Sequence, residues 1–168
     1  MLITETERLI LREFHESDAE NMFHLNADPD VIRYTHDPPF TSIEQAKEFI
    51  VNYNHYRKYG FGRWAVINKS DNAFLGWCGL KYTPENEEYD IGFRFSKMYW
   101  NKGYATESAL ASLELGFNRF GMTTIVGRAL IQNTASIRVL EKIGLTYFRK
   151  FDVEGHDGVI YKMDKPLK

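Results

Sequence analysis

The chain has a single cysteine, Cys78, so no disulfide can form within it. In the apolar run Phe74-Leu75-Gly76-Trp77-Cys78-Gly79-Leu80 that thiol reads as a small buried hydrophobe rather than a nucleophile. None of the five histidines stands at metal-ligand spacing from another or from Cys78, so no metal is expected. Neither charge is in excess. The 21 basic and 23 acidic residues give a net −2, which removes the electrostatic case for a nucleic-acid partner. No apolar run approaches the ~20 residues that span a bilayer, so no membrane partner is expected. The start, Met1-Leu2-Ile3-Thr4-Glu5-Thr6-Glu7, lacks the basic opening and apolar core of a signal peptide, and the cytoplasm is the default location. Two nucleotide motifs are also missing. Without Gly-x-x-x-x-Gly-Lys-Ser/Thr there is no P-loop, and without Gly-x-Gly-x-x-Gly no dinucleotide fingerprint.

What remains is a globular composition. With 43% hydrophobic and 26% charged residues, the 168-residue chain can bury a core, and residues 1–168 read as one domain. Aromatics reach a high 15%; some line the core, and in a domain this small others can wall a ligand cleft. Leu9 to Phe14 reads as a strand. Ser17-Asp18-Ala19-Glu20 and Thr41-Ser42-Ile43-Glu44 read as capping boxes that open two helices. Arg63 to Ile67 and Phe74 to Tyr82 form a hairpin across Lys69-Ser70-Asp71-Asn72. Further strands are expected near Tyr89 to Phe95, Thr124 to Ile131, Thr146 to Val153 and Val159 to Met163, with a helix over about Thr134 to Ile143. The order predicts an α+β or mixed α/β domain with one sheet of six or seven strands.

The most informative stretch is Trp100-Asn101-Lys102-Gly103-Tyr104-Ala105-Thr106-Glu107. Before it, Tyr89, Ile91, Phe93 and Phe95 alternate with Asp90, Gly92 and Arg94, the signature of a strand. After it, Leu110, Leu113, Phe117 and Phe120 recur at helical spacing and are expected in the core. A turn between them offers free backbone N–H groups at a helix N-terminus, and Gly103 lets a ligand reach them. Such a site suits a phosphate or pyrophosphate.

Four segments in this order resemble the GNAT N-acetyltransferase superfamily, and within it the RimJ/RimL-like branch. They are Glu7 to Arg12, Asp90-Ile91-Gly92-Phe93, Tyr99 to Glu107, and Asn133-Thr134-Ala135-Ser136 with Glu141 to Leu145. The resemblance implies a mixed sheet with helices on both faces and a splayed cofactor cleft. It implies acetyl-coenzyme A as cosubstrate, no metal, and an amine acceptor. The pyrophosphate would rest on the N–H groups of Lys102, Gly103, Tyr104, Ala105 and Thr106. The pantetheine arm would pair as an extra strand near Phe93, Arg94 and Phe95. Asn133 either binds the arm or caps its helix. Arg138 and Lys142 either meet the ribose phosphate or stand in solvent. In place of the Arg or Gln that opens the superfamily's turn stands Trp100, which leaves the anion site to backbone donors.

For the chemistry, Asp90 is the candidate base, directly or through water; its plain alternative is an ion pair with Arg94. Glu88, taken to point the other way, replaces it if the strand end frays. Leu140 occupies the place of the superfamily's acidic tyrosine, so Ser136 becomes the candidate acid, unless its hydroxyl serves the backbone. By position in the family fold, Tyr34, Thr35, His36, Trp64 and Trp77 line the acceptor pocket. Glu85, Glu87, Glu88 and Asp90 would make its mouth acidic, which suits a cationic amine. The competing reading is a non-catalytic acyl-coenzyme A sensor on the same fold. The acceptor's identity and the oligomeric state are not written in the sequence.

Overall fold

A computed structural model describes residues 1–167. The strands are β1 (Leu2–Glu5), β2 (Leu9–Arg12), β3 (Arg63–Asn68), β4 (Phe74–Thr83), β5 (Glu88–Phe95), β6 (Thr124–Leu130), β7 (Thr146–Val153) and β8 (His156–Asp164). The helices are α1 (Ala19–Ala27), α2 (Pro29–Ile32), α3 (Ile43–Val51), α4 (His55–Tyr59), α5 (Tyr104–Glu114) and α6 (Thr134–Lys142). All eight strands form one sheet in the order β1-β2-β3-β4-β5-β6-β8-β7. The fold is the expected mixed α/β sheet. The strand beyond the six or seven expected is β1, whose four residues alternate too little to register in the sequence.

Neighbouring strands run antiparallel throughout except β5 and β6, which are parallel and pair only at Asp90 and Val126. Beyond that point the sheet opens. The rest of β5 keeps its bonds to β4 on one side, from Gly92 opposite Gly79 to Phe95 opposite Gly76. Its other edge is left without a strand.

The two faces carry separate cores. Against one, α5 packs Ala109 and Leu113 with Trp64, Cys78, Leu80, Ile91 and Phe95 of the sheet. Against the other, Ala19, Met22 and Leu25 of α1 meet Ala46 and Ile50 of α3, with Phe74 and Trp77 beside them. Each fully buried large side chain contributes about 1.5–3 kcal/mol, so both faces hold the sheet. Register assigns the tryptophans. Trp64 pairs with Cys78 and Ala65 with Trp77, so strand alternation puts Trp64 on the α5 face and Trp77 on the α1/α3 face.

Several local expectations shift. Both capping boxes shift, the second one residue further on and the first two residues earlier. Asp18, in the place expected of Glu20, bonds back to the His15 N–H at 2.8 Å, and its buried carboxylate also pairs with Arg12. Ser42 accepts from the Gln45 N–H at 3.1 Å, while Gln45 Oε1 accepts from the Thr41 N–H at 2.5 Å. The stripe on α5 is not one face. Leu113 and Phe117 are 4% exposed but Leu110 is 48% exposed. Its neighbour Ala109 fills the core position, and a π-helical turn over Leu115–Arg119 breaks the phase beyond it.

Candidate active site

The turn from β5 to α5 is built to present donors. Gly103 is its N-cap at φ 81°, and no side chain caps the helix. The first N–H of α5 to reach a backbone carbonyl is that of Glu107, bonded to Gly103 at 3.0 Å. Among the described residues, the N–H groups from Lys102 to Thr106 therefore remain free, at the positive end of the helix dipole. Trp100 closes the turn from the other side. Its indole Nε1 donates to the Phe95 carbonyl at 2.8 Å, which ties the turn to the end of β5.

Two residues that sequence reasoning passed over hold this turn. Arg8, just before β2, donates from Nη1 to the Lys102 carbonyl at 2.9 Å and from Nε to Glu107 Oε1 at 2.7 Å. Its guanidinium lies 4.4 Å from the centre of the Tyr104 ring. Glu107 Oε2 accepts from the Thr6 hydroxyl at 2.5 Å and the Arg8 N–H at 3.0 Å. Partial burial alone would raise the Glu107 carboxyl; the bonds from Thr6 and Arg8 outweigh it and hold it below the usual range. The turn between β1 and β2 is thus latched to the first turn of α5.

On the α1/α3 face of β5 every charged side chain is paired. Asp90 Oδ1 accepts from Arg63 Nη2 at 2.6 Å, and Arg63 Nη1 reaches the carbonyls of Gly79 and Asp90. Gly92 makes room for this: a Cβ there would stand 2.7 Å from Arg63 Nη2. Arg94 donates from Nη1 to Asn26 Oδ1 at 2.8 Å and from Nη2 to Asp37 Oδ2 at 2.7 Å. Glu88 pairs with Arg128 of β6. Glu88 stands two residues from Asp90 and so shares its face, contrary to the expectation that it points away. The expected partner of Asp90 was Arg94; the actual one is Arg63. Asp90 Oδ2 makes no hydrogen bond among the described residues.

Beside this row is a cavity of about 320 Å³ between the sheet, α1, α3 and the Asp37-Pro38-Pro39 loop. Phe14, Phe40, Phe49 and Tyr53 form its walls. Trp77 lies in it between two guanidinium groups, with Arg63 5.5 Å and Arg94 5.2 Å from its ring centre. Burial pushes the Tyr53 hydroxyl up, so it stays protonated. Just outside, His55 Nε2 accepts from the Tyr82 N–H at 3.1 Å. Burial first, and then the nearby Arg63 and Lys81, push that imidazole down to about 4.

The family described as acetyltransferase (GNAT) domain matches residues 8–146, from the Arg8 latch to the start of β7. The chain belongs to the GNAT acetyltransferase family. It is an acetyltransferase enzyme. It is similar to the uncharacterized N-acetyltransferase YnaD of Bacillus subtilis, 33% identical over 156 residues that cover 90% of this chain and 89% of that protein. A solved GNAT-family acetyltransferase from Bacillus anthracis superposes with a TM-score of 0.84 at 31% identity, over 98% of this chain and 99% of that one. RimL, the ribosomal L7/L12 alpha-N-protein acetyltransferase solved with coenzyme A, superposes at 0.83 over 98% of both chains. At 19% identity it shares the fold alone.

As a GNAT site, the arrangement gathers most of the expected residues and sets some aside. The Lys102–Thr106 donors, the open edge at Phe93, Arg94 and Phe95, and Asp90 surround the gap between β5 and β6. Asn133 Oδ1 accepts from the Ser136 N–H at 3.3 Å, so it caps α6. Arg138 and Lys142 are exposed and unpaired among the described residues. Leu140 is buried at 2% exposure, against Gly127. Of the expected pocket residues only Trp77 lines the cavity. Trp64 is fully buried on the opposite face, its ring 6.4 Å from Phe120. Tyr34 lies outside, and the ring of His36 sits 4.9 Å from that of His156 at the β7–β8 hairpin. Of the expected acidic mouth, Glu88 and Asp90 face arginines, while Glu85 and Glu87 are exposed and make no ion pair among the described residues.

Proposed function

We propose that the protein, as one catalytic unit over residues 1–168, moves the acetyl group of acetyl-coenzyme A to a primary amine by direct attack. One observation carries this reading. The unpaired edge of β5 runs into a helix N-terminus whose N–H groups are free and whose N-cap is Gly103. An open strand edge suits an extended arm with alternating amide donors and acceptors, and the helix start suits its pyrophosphate. The motif likeness to the RimJ/RimL-like branch supports the same use of both.

Acetyl-coenzyme A supplies the thioester; the chain's residues do the rest. A backbone N–H near Arg94 or Phe95 receives the carbonyl oxygen as it gains negative charge. The amine nitrogen forms its bond to the acetyl carbon as the carbon–sulfur bond breaks. Asp90 Oδ2, the oxygen left by the Arg63 pair, takes the amine proton directly or through a water. Ser136 or water returns a proton to the thiolate. A thiol pKa of about 8.5 makes that help minor. Neutralising the acceptor matters more. A lysine-type amine costs roughly 3.5 kcal/mol more than an α-amino group.

The test is release of free thiol from acetyl-coenzyme A with a panel of N-terminal peptides, amino acids, polyamines and arylamines. Thermal stabilisation by acetyl-coenzyme A is measured alongside. Thiol release that depends on an amine supports the reading. Stabilisation without turnover by any amine sinks it, in favour of a sensor.

A further inference from the structure

Resting on the acetyltransferase reading above, we propose that the acceptor is a small monoamine with an apolar body and a carboxylate, an amino-acid-like molecule whose carboxylate binds Arg94. The cavity's size comes first. At about 320 Å³ it stands at the small end of ligand sites. The rings of Phe14, Phe40, Phe49, Tyr53 and Trp77 line it, which suits an apolar side chain rather than a chain of charges.

The charges come next. Arg63 is satisfied within the sheet, by the carboxylate of Asp90 and two carbonyls. Arg94 differs. Its side chain is 11% exposed, its inner partner is the neutral amide of Asn26, and its only carboxylate is Asp37, which is 58% exposed on the loop. A nearly buried guanidinium needs a counter-charge. Here that counter-charge sits on a loop at the cavity's mouth, where an incoming carboxylate can take its place on the planar fork. With Asp37 displaced, the acceptor's carboxylate would meet a guanidinium pressed on Trp77 in a largely apolar space. A polyamine gains no such partner. Asp90 is already paired with Arg63 and Asp37 with Arg94, so a second ammonium there meets no unpaired carboxylate.

The test is calorimetric binding to the coenzyme A-loaded protein, which needs no turnover. L-Phenylalanine, L-leucine and L-methionine are compared with their decarboxylated amines, and with spermidine. At least one acid should bind about tenfold or more tighter than its decarboxylated partner, the usual worth of a charge-assisted pair. Arg94→Gln should erase that preference. Asp37→Asn should strengthen it by removing the competitor, a gain that a merely structural Asp37 would not give. The proposal is overturned if no acid exceeds its partner, if spermidine binds tightest, or if Arg94→Gln keeps the preference. In those cases amine-dependent thiol release with other acceptors still leaves the acetyltransferase reading standing.

Discussion

Replacing Arg8 with methionine should weaken acetyl-coenzyme A binding although Arg8 lies more than ninety residues from the turn it holds. Methionine keeps the unbranched stem and part of the contact with Tyr104 but loses both side-chain bonds, while the backbone N–H bond to Glu107 stays. The bond to the Lys102 carbonyl is worth about 1 kcal/mol. The pair with Glu107, at 41% and 20% exposure, is discounted for solvent to at most about 1 kcal/mol. The cation–π contact adds about 0.5 kcal/mol. The sum, about 2 kcal/mol, should lower Tm by about 4–8 °C in a chain of this size. The larger effect is on the ligand. With its carbonyl released, the turn no longer holds all its N–H groups on one point. Losing one charge-assisted bond to a phosphate raises Kd about tenfold or more. Calorimetric titration with acetyl-coenzyme A and a thermal melt separate the two. Glu107→Gln should weaken binding as well, and the double variant should fall short of the sum, because both act through one latch. If Arg8→Met melts early yet binds acetyl-coenzyme A within about twofold of the parent, the latch is scaffold only and the reasoning fails.

Four further outcomes are expected. Gly103→Val should leave the fold intact but cut cofactor affinity sharply in calorimetry, because a branched side chain at φ 81° costs at least about 1–2 kcal/mol and shifts the donors. Asp90→Asn should lower kcat with cofactor affinity nearly unchanged, and rate should recover at high pH where the amine is neutral unaided; an unaltered kcat at neutral pH refutes the base role and turns attention to Glu88. Ser136→Ala should cost kcat about tenfold or less, and Leu140→Tyr should not raise it; a fall of several orders in folded Ser136→Ala would make thiolate departure the controlling step. Because the folded His55 sits near 4 against about 6.5 unfolded, the unfolded chain takes up the proton first and stability should fall as pH drops from about 6.5 to 4; His55→Gln should flatten that part of the stability–pH curve.

What the sequence made legible, and what it hid, divides along the range of the interactions involved. The donor turn was readable because its causes are local: strand alternation before it, Gly103 within it, helical spacing after it. Asp90 was assigned to the cleft face by the same parity. The Arg8–Glu107–Thr6 latch was not readable, because its bonds join positions 94 to 101 apart. Trp64 and Trp77 look alike in sequence, each an aromatic in a strand. Only the register of the β3–β4 hairpin, which sets Ala65 opposite Trp77, sends one to the core and the other to the cavity. Tyr34 and His36 failed for a related reason: loop residues carry no periodicity to say which wall they meet. The walls themselves, Phe14, Phe40, Phe49 and Tyr53, come from separate segments that converge only when α1 and α3 pack on the sheet. The charge pairing was hidden too. Asp90 and Arg94 share a strand face, yet each found a partner on another element.

The central claim is that backbone donors at the start of α5 and the open edge of β5 together hold acetyl-coenzyme A. A crystal structure of the protein with coenzyme A tests it most directly. The account predicts pyrophosphate oxygens within hydrogen-bond distance of N–H groups between Lys102 and Thr106, and the pantetheine amides paired with β5 between Ile91 and Phe95. Coenzyme A bound elsewhere, or a pyrophosphate held by side chains while those N–H groups point to water, would contradict it.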